Sequence, residues 1–248
     1  MIRLDKNITA NKLRLRITGS PVCIALSDFG IYKEPVHLTA PLISRNKSGF
    51  VQISTEAPVS SIRYTLNGAE PTLASAVYEN PFLLPKGGIV KAKSFEGTQA
   101  GELKTQVLGI SKADWKISTA AGFIQKGAEN AIDESNRTFY TSSVTGAQAS
   151  AGALIIDMGK VETIKAFTYL PRQDKQTAGI VDRYTYSVST DGSNWREVAK
   201  GEFANIKSNP IEQTVRLDQP VTARYFKFNV EHVVAGNEFT VAELGVIE

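Results

Sequence analysis

Two short stretches of this chain carry oxygen donors at spacings that suit a hard cation. Ala131-Ile132-Asp133-Glu134-Ser135-Asn136-Arg137-Thr138 is a polar loop with a carboxylate at Asp133, a hydroxyl at Thr138 and backbone carbonyls between them. Val241-Ala242-Glu243-Leu244, close to the end of the sequence, returns one further carboxylate. Calcium takes roughly six to eight oxygens at flexible geometry, carbonyls among them. A tight loop and one returning Glu can supply such a set. The same residues also make an ordinary turn beside a surface Glu, because Asp, Ser and Asn are turn formers. Spacing alone leaves both readings open.

Other chemistries find less support. The two histidines, His37 and His232, lie in different blocks, and the one cysteine is Cys23, so neither a Ser-His-Asp nor a Cys-His set can be assembled. One cysteine also excludes an intrachain disulfide and a Cys-based zinc site. Cys23, between Val22 and Ile24, reads as a small core residue. Glycoside hydrolysis needs two carboxylates about 5 to 10 Å apart in a cleft. With 25 acidic residues, pairs arise by number, and no motif singles one out. The net charge is +3, with Lys and Arg scattered rather than striped, so nucleic-acid binding has little support. No apolar run is long enough to span a membrane. Met1 is followed by Ile-Arg-Leu-Asp-Lys, which is not an export signal.

The elements that must position these donors are strands. At 248 residues, more than one domain is expected, and 42% hydrophobic with 21% charged residues is ordinary globular composition. Val51/Ile53/Thr55, Ile62/Tyr64/Leu66, Tyr184/Tyr186/Val188 and Phe226/Phe228/Val230 alternate with polar neighbours, the period of half-buried strands. Turn signals recur at Asn67-Gly68, Lys86-Gly87-Gly88, Asp191-Gly192 and Asn209-Pro210. Such spacing predicts all-β sandwiches. The one helix candidate is a turn or two near 126–132, feeding the ligand loop. Paired prolines over Pro35 to Pro41 and the stretch Ile110 to Asp114 set boundaries near 36 and 111.

From 114 onward the order of motifs is specific. Leu154-Ile155-Ile156-Asp157-Met158-Gly159-Lys160 comes first, then Phe167-Thr168-Tyr169-Leu170-Pro171-Arg172-Gln173-Asp174. Tyr184 through Trp195 follows, then Ala223-Arg224-Tyr225-Phe226-Lys227-Phe228. This series resembles the discoidin or F5/8-type C domain, grouped with family 32 carbohydrate-binding modules. The resemblance implies that 111–248 is a jelly-roll β-sandwich with a structural calcium and sugar recognition by loops at one end. It implies metal ligands at Asn130, Asp133, Ser135, Thr138, Ala242 and Glu243, with carbonyls from Asn130, Ser135 and Ala242. Ser135 stands where Asn or Asp is usual, and Arg137 is tolerable beside an ion only if it points to solvent. For the saccharide it implies Arg172 and Asp174 after the Tyr169-Leu170-Pro171 strand end, and Asn237 and Phe239 in the last loop. The family's loop aromatic is Tyr140, and Thr141 stands where a His often binds an axial galactose hydroxyl, which puts galactose specificity in doubt. Phe239 also reads as core, and Arg172 as a partner of Asp174. Trp195 and Trp115 read as core.

The middle block, 36–110, contains Ile62-Arg63-Tyr64-Thr65-Leu66-Asn67-Gly68-Ala69-Glu70-Pro71-Thr72. It is similar to the small immunoglobulin-like domain of chitobiases and β-hexosaminidases, which implies a spacer. Tyr64 and Tyr78 in alternating strands read as core. Residues 1–35 are too few for a domain. Lys12–Thr18 and Ile24–Tyr32 read as two strands of a preceding, truncated sandwich, forming a hairpin packed on the middle block or a neighbour. The stretch 11–35 is similar to the segment that closes the catalytic part of bacterial family 29 α-L-fucosidases. Together these imply a non-catalytic, glycan-targeting region of an exported α-L-fucosidase-like glycosidase, periplasmic or extracellular, binding galactose- or fucose-containing glycans. A structural spacer or an adhesion module without sugar binding is the other reading.

Overall fold

Alternating apolar side chains need a second layer to bury them, and the chain supplies it with strands. In this computed structural model, residues 8–31, 38–56, 61–119, 127–142 and 152–248 are described, and one 3₁₀ turn aside their regular elements are strands. The chain divides into two units, Met1–Val36 and His37–Glu248. Of the boundary expected over Pro35 to Pro41, residues 35–37 lie outside the described set.

The first unit departs from expectation. Residues 8–31 form no strand, and every one of them is exposed. The expected hairpin over Lys12–Thr18 and Ile24–Tyr32 is absent from the described residues, and Cys23 is exposed rather than core. Leu13, Leu15, Ile17, Val22, Ile24 and Leu26 all face solvent. A lone two-stranded ribbon is marginal in water, so alternation without a further layer does not make strands.

In the second unit the first half carries β1 (Leu42–Arg45), β2 (Phe50–Ser54), β3 (Ser61–Thr65), β4 (Ala76–Val77), β5 (Phe82–Leu83), β6 (Gly88–Glu96), β7 (Gln99–Ala100) and β8 (Lys104–Leu108). One sheet runs β1-β2-β5; the other runs β4-β3-β6-β7, with β8 also on β6. Val51, Ile53, Ile62, Val90, Ala92 and Leu108 form their shared core. Tyr64 and Tyr78 pack against it, half-buried, with the Tyr64 ring stacked 4.9 Å from Phe82. At the Asn67-Gly68 turn, Gly68 takes φ 80, which glycine adopts without steric cost.

The second half carries β9 (Lys116–Thr119), the 3₁₀ turn Ala128–Ile132, β10 (Tyr140–Thr141), β11 (Gly152–Leu170), β12 (Val181–Ser189), β13 (Arg196–Glu202), β14 (Gln213–Val233), β15 (Thr240–Val241) and β16 (Glu243–Ile247). The main sheet is antiparallel in the order β13-β12-β14-β11-β16, with β9 also on β11, and β10 and β15 form a separate ribbon. The long strands β11 and β14 change register between Asp157 and Glu162 and between Ile164 and Ala166. Such breaks bend a strand and let its two halves face different partners. Thus Leu154–Asp157 pairs with β9, whereas Ala166–Leu170 pairs with β16.

The core between these layers is aromatic. Phe167 and Tyr186 stack at 4.2 Å, and Phe226, Phe228 and Tyr169 are buried around them. Trp115 is buried against Phe226, as expected. Trp195 is not core: it is half-buried just before edge strand β13, and the Lys227 ammonium lies 4.2 Å from its ring centre.

Candidate cation loop and saccharide rim

The 3₁₀ turn Ala128–Ile132 buries Ala128, Ala131 and Ile132 and delivers Asp133 at its end. Asp133 Oδ1 accepts the Ser135 N–H at 2.8 Å, and Oδ2 accepts the Thr138 hydroxyl at 2.7 Å. That hydroxyl also lies 3.5 Å from the Ser135 carbonyl oxygen. The Asn130 amide donates to the Phe139 carbonyl at 3.2 Å, closing the loop's base. Arg137 is exposed, yet it also lines the cavity that Asp133 and Glu243 share, so a cation there would have to tolerate it. Opposite, the Ala242 N–H donates to the Leu170 carbonyl at 3.0 Å, which seats Glu243 at the start of β16.

Asp133, Ser135 and Glu243 line one cavity of about 700 Å³. Glu243 is buried; its Oε1 accepts the Lys112 ammonium, and its Oε2 is buried with no partner among the described residues. Burial pushes its carboxyl up to about 7, with the charges of Glu134 and Asp133 adding to the effect and Lys112 opposing it. A buried, unpartnered carboxylate oxygen costs free energy that a bound cation relieves. Glu243 Oε2 is therefore a free oxygen donor for a hard cation, beside an Oε1 that the Lys112 ammonium already neutralises. Among the described residues no group of three or more His, Cys, Asp or Glu gathers as a metal cluster, so the ion would rest on two carboxylates plus hydroxyl and carbonyl oxygens.

Sequence reasoning missed three members of this site. Glu134 has φ 65, the left-handed region that non-glycine residues seldom adopt. Its Oε1 accepts from Arg45 Nη2 at 2.5 Å and lies 3.6 Å from Lys112 Nζ. Arg45 and Lys112 are remote in sequence from the loop, and nothing in their spacing marks them.

The saccharide candidates divide. Arg172 holds Asp174 with two bonds, Nε to Oδ1 at 2.8 Å and Nη2 to Oδ2 at 2.6 Å, and Nη1 donates to the Ala178 carbonyl at 3.0 Å. This pairing holds the Asp174 carboxyl below its ordinary range and raises the Arg172 guanidinium. The guanidinium carbon lies 4.6 Å from the centre of the half-buried Phe139 ring. Phe139, and not the neighbouring Tyr140, is therefore the aromatic residue in contact with Arg172. Tyr140 is instead buried. Phe239 is likewise buried, edge-on to Tyr140 at 5.7 Å, and a Cβ on Gly152 would meet its ring at 2.6 Å. It is core rather than an exposed sugar platform, because just before β15 its ring turns inward onto Tyr140. Asn237 is exposed on the loop before it, and Thr141 is half-buried on β10, paired with Thr240. Backbone bonds tie this end together: Ser142 N–H to the Phe239 carbonyl at 2.9 Å, and Gly179 N–H to the Ala235 carbonyl at 2.8 Å.

Comparison with known proteins places these residues in context. The profile described as F5/8 type C domain matches residues 114–244, and one described as Fn3 associated matches 51–107. A galactose oxidase of Gibberella zeae is 24% identical over 151 residues, 56% of this chain and 20% of that protein. The chain thus spans about a fifth of the length of the curated relative it matches. Among solved structures, the Clostridium perfringens module CpGH89CBM32-5, in complex with GalNAc-beta-1,3-galactose, is 24% identical with TM-score 0.48, covering 54% of this chain and 95% of that one. The family 32 module of C. perfringens NanJ, in complex with galactose, is 24% identical with TM-score 0.46, covering 53% of this chain and 92% of that one.

Proposed function

Because the chain belongs to the F5/8 type C domain family, we propose that its carboxy-terminal half is a non-catalytic carbohydrate-binding module of a larger, exported glycoside hydrolase. The observation that carries this is the cluster in which the Arg172 guanidinium, paired with Asp174, lies over the half-buried Phe139 ring, 4.6 Å from its centre. A planar apolar surface meets the C–H face of a pyranose, and the charged groups beside it bind hydroxyls. A shallow site with few polar contacts gives weak affinity, on the order of millimolar to tens of micromolar. Galactose- or fucose-containing glycans are the proposed ligands, with Phe139, Arg172, Asp174 and the exposed Asn237 on the rim. Arg172 and Asp174 orient each other and offer their remaining edges.

Titration with fucose, galactose and N-acetylgalactosamine, followed by NMR or a glycan array, tests this reading. Phe139→Ala is expected to weaken binding about tenfold, the size of one lost aromatic contact. Silence at tens of millimolar from the unaltered chain would instead support the alternative, a structural spacer. That alternative is favoured by one observation: the Arg172 guanidinium is already committed to Asp174 and the Ala178 carbonyl.

The bound cation is proposed to be calcium, held by Asp133, Thr138 and Glu243 side chains and by carbonyls of Asn130, Ser135 and Ala242. It would supply positive charge where two carboxylates meet, tying the loop to β16 without taking part in chemistry. Chelation is expected to lower the melting temperature, and Asp133→Ala to mimic chelation; melts unchanged in both cases would reject the site. The similarity of 11–35 to family 29 enzymes supports α-L-fucosidase as the parent activity. Release of nitrophenol from nitrophenyl α-L-fucoside by the intact parent protein tests that. Export to the periplasm or beyond is proposed on family grounds; no helix among the described residues is long and apolar enough to cross a membrane.

A further inference from the structure

We propose that Arg45, on β1 in the first half of the unit, is the positioning residue of the 133–138 loop in the second half. Its side chain is almost fully buried. Nη1 donates to the Gly109 carbonyl at 2.5 Å, and Nη2 donates to the Ile110 carbonyl at 3.2 Å and to Glu134 Oε1 at 2.5 Å. One guanidinium therefore grips both the connecting segment and the loop. The segment itself is sewn to both halves: the Ile110 N–H donates to the Val246 carbonyl at 2.8 Å, and the Ser111 N–H to the Pro85 carbonyl at 2.7 Å.

Glu134 is where this grip matters. It sits between Asp133 and Ser135, so its backbone angles set where the Asp133 carboxylate and the Ser135 carbonyl face. Its φ of 65 is unfavourable for a side chain other than glycine and persists only when contacts hold it. The holding contact is a short charge-assisted bond sheltered from solvent, the strong kind. Lys112 extends the chain of charges, 3.6 Å from Glu134 Oε1 and bonded to Glu243. Thus Arg45, Glu134, Lys112 and Glu243 run without a break from β1 to β16. A strand outside the F5/8 type C match imposes the geometry of a loop inside it.

The test uses the full chain and two readouts. The Ser135 amide, bonded to Asp133 Oδ1, reports loop geometry by hydrogen exchange. Arg45→Met is expected to speed its exchange about tenfold, the size of one buried coupling. Glycine accepts positive φ freely, so in a Glu134→Gly background the same substitution should change exchange by less than about twofold. Should Arg45→Met not fold, Arg45→Lys keeps the charge but loses the forked donation, and is expected to shift exchange in the same direction by less. Unchanged Ser135 exchange, or an equal effect with and without the Glu134 carboxylate, overturns the proposal. The second readout rests on the calcium reading: Arg45→Met should weaken calcium affinity about tenfold by titration calorimetry. If the unaltered chain binds no calcium yet Ser135 exchange responds to Arg45, the positioning role stands and the calcium reading falls.

Discussion

Asp157 on β11 accepts from Arg224 Nε and Nη2, each at 2.8 Å, and from the Gly159 N–H at 2.8 Å. The Arg224 bond, above all, holds its carboxyl below the ordinary value of 3.8. A lowered folded-state value means that the unfolded chain takes up its proton first as pH falls. The stability from Asp157 is therefore fully present above about pH 4 and is lost as pH falls through the folded-state value. Calorimetry from neutral pH into the acid range is expected to show Asp157→Asn losing less melting temperature than the unaltered chain; an equal loss would refute the assignment. The pair is partly exposed, so the effect is modest. At the same scale, the loop residues Asp133 and Thr138 were legible in the sequence because turn chemistry is local. Phe139 was not, because neighbouring strand residues face opposite sides and a string of letters does not say which ring turns inward.

At the scale of elements, β14 shows how pairing overrides local punctuation. Pro220 interrupts a reading of one strand, yet β14 runs from Gln213 to Val233. Its partners on β11 step from Val221 to Arg216 across one of the register shifts, so the proline falls where no ladder bond is required of it. Two predictions belong here. Phe167→Ala removes a ring stacked on Tyr186 and is expected to cost about 3–5 kcal/mol in denaturant unfolding. Gly109→Ala would place a Cβ 2.3 Å from the Val246 carbonyl oxygen on β16, and is expected to cost about 1–3 kcal/mol. A neutral result at Gly109 would mean that the connecting segment yields easily there.

At the scale of the whole molecule, the unit His37–Glu248 is expected to unfold in one cooperative calorimetric transition, because Arg45 and the 109–111 backbone bind its two halves to each other. Two separate transitions would show the halves to be independent. The described residues 8–31 bury nothing and should contribute no cooperative transition of their own.

What could be read along the chain was whatever depends on near neighbours. Alternation made the strands of 37–248, Asn-Gly and Asp-Gly made the turns, and the Asp133–Thr138 spacing made an oxygen-rich loop. What required the folded chain was whatever depends on partners distant in sequence. Strand-like alternation at Lys12–Thr18 and Ile24–Tyr32 came to nothing among the described residues, Phe239 turned inward while Phe139 stayed half-buried, and a guanidinium from β1 came to hold Glu134. Burial and ion pairing are settled by which surfaces meet, and only the tertiary structure brings those surfaces together.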